Sequence, residues 1–404
     1  MTHARSKTAR FAVLTIFFVN GATIASWVPH IPLVQEKLGL SEGLLGLALL
    51  GVALGAVFSL TLSGWLIARF GSRLVTGVST VAFCLSLPPL VLASSFTTLV
   101  LALIFFGLFN GAMDVAMNTQ AVEVEKRYDK PIMSSFHGFF SLGGLFGAGV
   151  GGLILEGGVS PVVHTIGASL LFLTAGVFAL RHLLPKREEV SSADGPAFVL
   201  PKGSLLGLGL LAFVVFVGEG AMADWSAVYL RNVLGTSTGL AAAGFAAFSL
   251  MMAVGRLTGD VVVGRLGPAR TVRFGSLVAG AGLGLSLLIG QPLAAIVGFG
   301  CVGLGLANLV PVFFSAAGRT PGVAPGTGIA AVATLGYLGW LAGPPLIGFA
   351  AEVVTLAGAL GLVAVALGLV MVFARLVRAG KGDPNPTPSN SEDKVLAEAE
   401  KTLR

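Results

Sequence analysis

FFGLFNGAMDVAMNTQ (residues 105–120) is almost wholly apolar or small, yet it holds a carboxylate, Asp114, with Asn110 four residues before it and Asn118 four after. Steps of four keep all three on one helix face. On a helix in water such a stripe is ordinary. On a helix in lipid it is expensive, since Asp at the centre of a span costs roughly 2.5–3.5 kcal/mol on insertion scales. The rest of the chain decides which solvent applies.

The 404 residues are 55% hydrophobic and 11% charged, where a soluble domain carries about 25% charge. Mean hydropathy is +0.91. Apolar stretches of about 20 residues, enough to cross a bilayer, recur twelve times: 11–34, 43–67, 74–94, 97–120, 134–155, 162–184, 204–230, 237–263, 271–290, 293–316, 325–350 and 352–376. Turn signals such as LPP (87–89), SSF (94–96), GQP (290–292) and TPGVAPG (320–326) separate them. The expected fold is all-α and integral to the membrane, with twelve transmembrane helices. Cys84 and Cys301 lie in apolar runs, so neither a disulfide nor a metal site is expected. No G-x-x-x-x-G-K-[ST] phosphate loop and no H-E-x-x-H pair occurs, which argues against an ATP-driven pump or an embedded metalloprotease. No enzyme activity and no cofactor is expected.

Charge placement sets the sidedness. The net charge of +6 reads as topology, not as a nucleic-acid surface. With twelve spans and an interior N-terminus, all of the 25 Lys and Arg except Lys37 and Arg231 fall on one side. The positive-inside rule then puts both termini in the cytoplasm of a multi-pass inner-membrane protein. The basic start MTHARSKTARF has no cleavage site after it and reads as a retained anchor. The expected organisation is a six-helix bundle over 1–184, a cytoplasmic linker over 185–203, a second six-helix bundle over 204–378, and a tail over 379–404. The tail reads as disordered, with room for a short helix near 393–402.

The two halves repeat at an offset of 196 residues. LGLSEGLLG (38–46) lies over LGTSTGLAA (234–242), ARFGS (68–72) over GRLGP (264–268), and Gly143, Gly147 and Gly152 over Gly339, Gly343 and Gly348. A parallel repeat of six spans is how major facilitator transporters are built, and the chain resembles that superfamily over residues 10–378. GWLIARFGSR (64–73) is similar to the family signature between helices 2 and 3, with Ala68 where the family carries Asp. The resemblance implies a gating role for Arg69 and Arg73, and in the other half for Asp260 with Arg256 one turn before it. GAMDVAMNTQAVEVE and SSFHGFFSLGGLFGAGVGG (134–152) resemble the fucose-permease-like group of bacterial proton-coupled transporters, in which an acid on helix 4 is followed by an Asn one turn on. Asp114 and Asn118 match it. The helix-1 acid of that group has no counterpart in NGATIASWVPHIP (20–32).

In that fold helices 1, 4, 7 and 10 line a central cavity, which makes candidates of the buried polar residues. Asp114 reads as a proton-binding carboxylate, or else as a structural Asp bonded to a neighbouring helix. Glu219 sits near the middle of helix 7, and the repeat sets it opposite Asn20; two carboxylates sharing a cavity favour proton uptake by one. Asp224 is a gate or a helix-end residue. Asn20, Asn110, Asn118 and Asn308 offer amides to a polar solute, His137 an imidazole, and Trp27, Trp225, Tyr337 and Trp340 rings for stacking or simply for core packing. The Gly-rich run SLGGLFGAGVGG (141–152) also resembles a helix-5 motif of proton/drug antiporters, though tight helix packing explains it equally. The expectation is a monomeric secondary transporter moving a small polar, sugar-like solute with protons by alternating access. The alternatives are a proton-driven exporter of drugs or metabolites, and a non-transporting receptor or lipid scramblase.

Overall fold

The computed structural model describes residues 3–128, 132–186 and 199–378. Most of the expected linker, Lys130 and the whole tail over 379–404 lie outside the described residues.

Ten helices cross in turn: α1 (Ser6–Leu38), α2 (Glu42–Phe70), α3 (Ser72–Leu92), α4 (Phe96–Glu125), α5 (Met133–Glu156), α6 (Pro161–Leu180), α7 (Ser204–Val233), α8 (Thr238–Leu266), α9 (Pro268–Ile289) and α10 (Pro292–Ala317). A last helical element, Pro325–Val370, is long enough to cross twice. It breaks where Val354 and Thr355 leave helical geometry, Thr355 at φ 68° and ψ 161°. The break makes two spans, α11 (325–353) and α12 (356–370), and completes the expected twelve.

Local chemistry sets the ends. Ser41, Ser95, Ser160 and Ser237 each accept a backbone N–H from the first turn of α2, α4, α6 and α8, satisfying donors that the helix cannot. The spelling G-x-S-x-G, which elsewhere can mark a nucleophile, occurs at 39–43 and 235–239; here its serines are these helix caps. Prolines start α6, α9, α10 and α11, where the missing N–H costs nothing. Prolines also break helices. α1 carries a 3-10 turn at Val28–His30 beside Pro29, α3 is interrupted at Ser86 before Pro88 and Pro89, and α10 stops at Leu306 and resumes at Leu309, ahead of Pro311.

The repeat survives in three dimensions. Gly39 and Gly235 take φ 62° and 65°, and Gly71 and Gly267 take φ 84° and 77°. Each pair is 196 apart and turns the chain where an L side chain would be strained. Within the first half α1 packs on α5 and α2 on α4; within the second, α7 packs on the last helical element and α8 on α10. The halves meet where α5 packs on α8 and α2 on α11. The Gly-rich run serves the packing of α5 on α1: a Cβ on Gly143 or Gly147 would strike the backbone of α1 at Phe18 and Ala22, and in the second half one on Gly339 would strike the backbone of α7 at Phe213. Outward-facing leucines and phenylalanines such as Leu170, Phe178, Leu288 and Leu293 stay exposed, as a lipid-facing surface requires.

Candidate functional site

The stripe on α4 divides in two. Asn110 turns to α1, where Asn20 donates its amide to Asn110 Oδ1 at 3.1 Å. Both amides are buried, so this bond ties α1 to α4 inside the first half. Asn118 folds back on its own helix, donating to the Asp114 carbonyl at 2.9 Å and to Asp114 Oδ1 at 3.1 Å. Asp114 itself stays only half-buried, at a depth where contact with hydrocarbon would be prohibitive. Tyr337 of α11, in the other half, lies within the electrostatic reach of Asp114.

A second group gathers around Arg256 on α8. Its guanidinium donates from Nη1 to Ser141 Oγ of α5 at 3.0 Å, and Ser141 in turn donates to the His137 carbonyl at 3.2 Å. Arg256 also acts electrostatically on Glu219 of α7 and on His137. The His137 ring stands edge-on to Phe17 of α1 at 5.3 Å between centroids. Thus α4, α5, α7, α8 and α11 bring two carboxylates, one guanidinium, one imidazole and one phenol to the middle of the protein. Glu219, Arg256 and His137 share the half-buried state of Asp114. By the 196-residue offset the counterpart of Glu219 is Thr23, one turn beyond Asn20.

Tyr337 and Trp340 flank Phe216 at 5.7 and 5.5 Å, making an aromatic wall on α7 and α11. Trp27 and Trp225 are buried, and neither indole N–H has a hydrogen-bond partner among the described residues. Asn308 stands where α10 restarts and donates its amide to the Gly255 carbonyl of α8 at 3.1 Å; it lies against Gly259 of α8, which gives it a helix-packing role. Asp224 is half-buried on α7. Asp260 is exposed, and no bond among the described residues links it to Arg256. Arg256 instead turns inward to Ser141. Arg256 also leaves the tally of sided loop charges, since it sits mid-span. Arg69 lies over the Trp65 and Phe70 rings at 5.6 Å each, and Arg73 donates to the Arg181 carbonyl at 3.3 Å. Both contacts stay within the first half.

Ser141 escaped the sequence reading because serine is common in spans. Gln120 escaped too: fully buried, it bonds Ser72 at 2.6 Å and the Leu184 backbone at 2.9 and 3.0 Å, locking loop ends together. No cluster of three or more metal-ligating side chains occurs among the described residues.

The model of the Major Facilitator Superfamily matches residues 13–344, and the chain belongs to that superfamily. An uncharacterized MFS-type transporter of Yersinia pestis is 40% identical over 361 residues, spanning 89% of this chain and 94% of the relative. Among solved structures, an inward-facing, unoccupied bacterial homologue of the human lysosomal transporter Spinster superposes with a TM-score of 0.75, over 95% of this chain and 100% of its own, at 14% identity. The fucose:proton symporter of E. coli superposes with a TM-score of 0.61, over 91% and 97%, at 15% identity. At such identities the likeness is one of fold. The protein is a multi-pass membrane transporter and not an enzyme.

Proposed function

We propose that this transporter is a proton-coupled secondary carrier of a small polar organic solute, working by alternating access in the inner membrane. The observation that carries the reading is the presence of Asp114 on α4, Glu219 on α7 and Arg256 on α8, each near the middle of its span. Three ionisable groups at the middle of a membrane protein are retained for a cavity and a task. Asp114 is the proton switch: neutral when loaded, it lets the occluded carrier cross; charged, it resists occlusion. Glu219 assists, within electrostatic reach of Arg256, whose guanidinium a solute would engage. The amides of Asn20, Asn110 and Asn118, the wall of Phe216, Tyr337 and Trp340, and the unpaired indole donors of Trp27 and Trp225 suit a polyol with one apolar face. Fold likeness to a fucose:proton symporter supports the sugar-like class. The two bundles, 1–184 and 204–378, rock about this site, and the single chain is the working unit. The side bearing the linker faces the cytoplasm, by the excess of Lys and Arg there.

A thermal-shift screen of the purified protein tests the solute class. A ligand that binds the folded state raises its melting temperature by mass action. Monosaccharides or polyols are expected to stabilise the protein more at acidic than at alkaline pH. Stabilisation by lipophilic cations alone would replace the sugar reading with export.

A further inference from the structure

On the side of the membrane opposite the linker, the halves are pinned by two carboxylates. Glu352, at the end of α11, accepts the Gly43 backbone N–H at 3.1 Å and the Ser41 hydroxyl at 2.6 Å. Both partners belong to the first turn of α2, in the other half. Glu156, at the end of α5, accepts the Gly239 backbone N–H at 2.8 Å, in the first turn of α8, again in the other half. The positions obey the repeat: Glu156 and Glu352, Gly43 and Gly239, and Ser41 and Ser237 are each 196 apart.

Several features mark this as built. Ser41 and Ser237 already cap their own helices, accepting from Leu44 at 3.3 Å and Leu240 at 3.4 Å. The glutamates therefore bring negative charge to helix starts that still have free N–H groups and the positive end of the dipole. Glycine is needed for the approach: a Cβ on Gly43 would stand 2.5 Å from Glu352 Oε1, and one on Gly239 3.0 Å from Glu156 Cβ. Beside them Arg231 pairs with Glu36 at 3.1 Å and Asn232 donates to Gln35 at 2.9 Å, joining the ends of α7 and α1. An ordinary cap binds its own bundle; the hydrogen bonds described for Glu156 and Glu352 all go to the opposite one.

We propose that Glu156 and Glu352 are a pseudo-symmetric pair of latches, each capping a helix of the opposing half to hold this side of the carrier shut, and released together when it opens. The inference rests on the alternating-access reading, and the two fail separately, since solute uptake tests that reading and distances between the halves test the latch.

The test places spin labels at Ser94→Cys and Gln291→Cys, on loops of the two halves at this side, with Cys84→Ala and Cys301→Ala removing the native thiols. Electron–electron resonance then reads the distance across the closure in detergent or nanodiscs. With both glutamates present the short distance should dominate. Glu156→Ala/Glu352→Ala should raise the ratio of long to short distances roughly 3- to 30-fold, the range for two charge–helix contacts, with each single variant in between. Gly43→Ala/Gly239→Ala should do the same with both acids intact. If the double alanine variant fails to give monodisperse protein, Glu156→Gln/Glu352→Gln is judged by the same criterion. An unchanged distance distribution in a folded double variant overturns the latch, whatever uptake shows.

Discussion

Arg256 and Glu219 are opposite charges within electrostatic reach of each other at mid-span, where neither is cheap. Removing one partner leaves an uncompensated charge in low dielectric, which costs more than the pair was worth. Arg256→Gln is therefore expected to destabilise the protein more than the double variant Glu219→Gln/Arg256→Gln does. Unfolding of the four members of the cycle should give a coupling of about 1 kcal/mol or more; additive losses would separate the two residues. The indoles give a second expectation at this scale. Trp27→Phe and Trp225→Phe keep the ring volume nearly filled and remove a buried donor that finds no partner among the described residues. Folding should be kept while solute affinity falls by roughly 1 kcal/mol, the worth of one hydrogen bond. Unchanged affinity in both would make the two rings core residues.

Among the elements, the break between α11 and α12 is the strained one. Thr355 holds φ 68° and ψ 161°, a region nearly reserved for glycine and costing about 1–3 kcal/mol. Its hydroxyl accepts the Gly358 N–H at 3.3 Å, a cap whose loss to glycine costs a few tenths of a kcal/mol. Thr355→Gly should therefore raise the melting temperature, and a fall would show the cap to be worth more than the strain. This break also marks a limit of legibility. The twelve spans and the 196-residue repeat could be read because composition and spacing encode them. The junction at Thr355 could not, since no Gly or Pro announces it. Asp114 and Glu219 stood out because acids are rare in spans. Arg256 was read as part of a gate because it stands one turn before Asp260 in the half where the resemblance looks for the gate charge; only packing shows it turned to Ser141. The sequence reading left Glu156 and Glu352 aside, although the 196-residue offset aligns them too.

At the scale of the whole molecule, two pseudo-symmetric halves enclose a polar centre, latched on one side, with the halves meeting at α5–α8 and α2–α11. A tag inserted within 185–203 should be undetectable from outside intact cells, and one within 35–42 should be detected; the reverse would invert the proposed orientation. The central claim is that Asp114 carries the proton. Asp114→Asn mimics the protonated carboxyl in shape and leaves an amide beside Asn118. The direct measurement is solute uptake into proteoliposomes with and without an imposed pH gradient. Asp114→Asn is expected to bind solute and to exchange it between the two sides as wild type does, but to lose accumulation driven by the gradient, with Glu219→Gln showing a milder or pH-shifted form of the defect. Gradient-driven accumulation by Asp114→Asn at the wild-type level would contradict the account and leave the α4 stripe a structural feature.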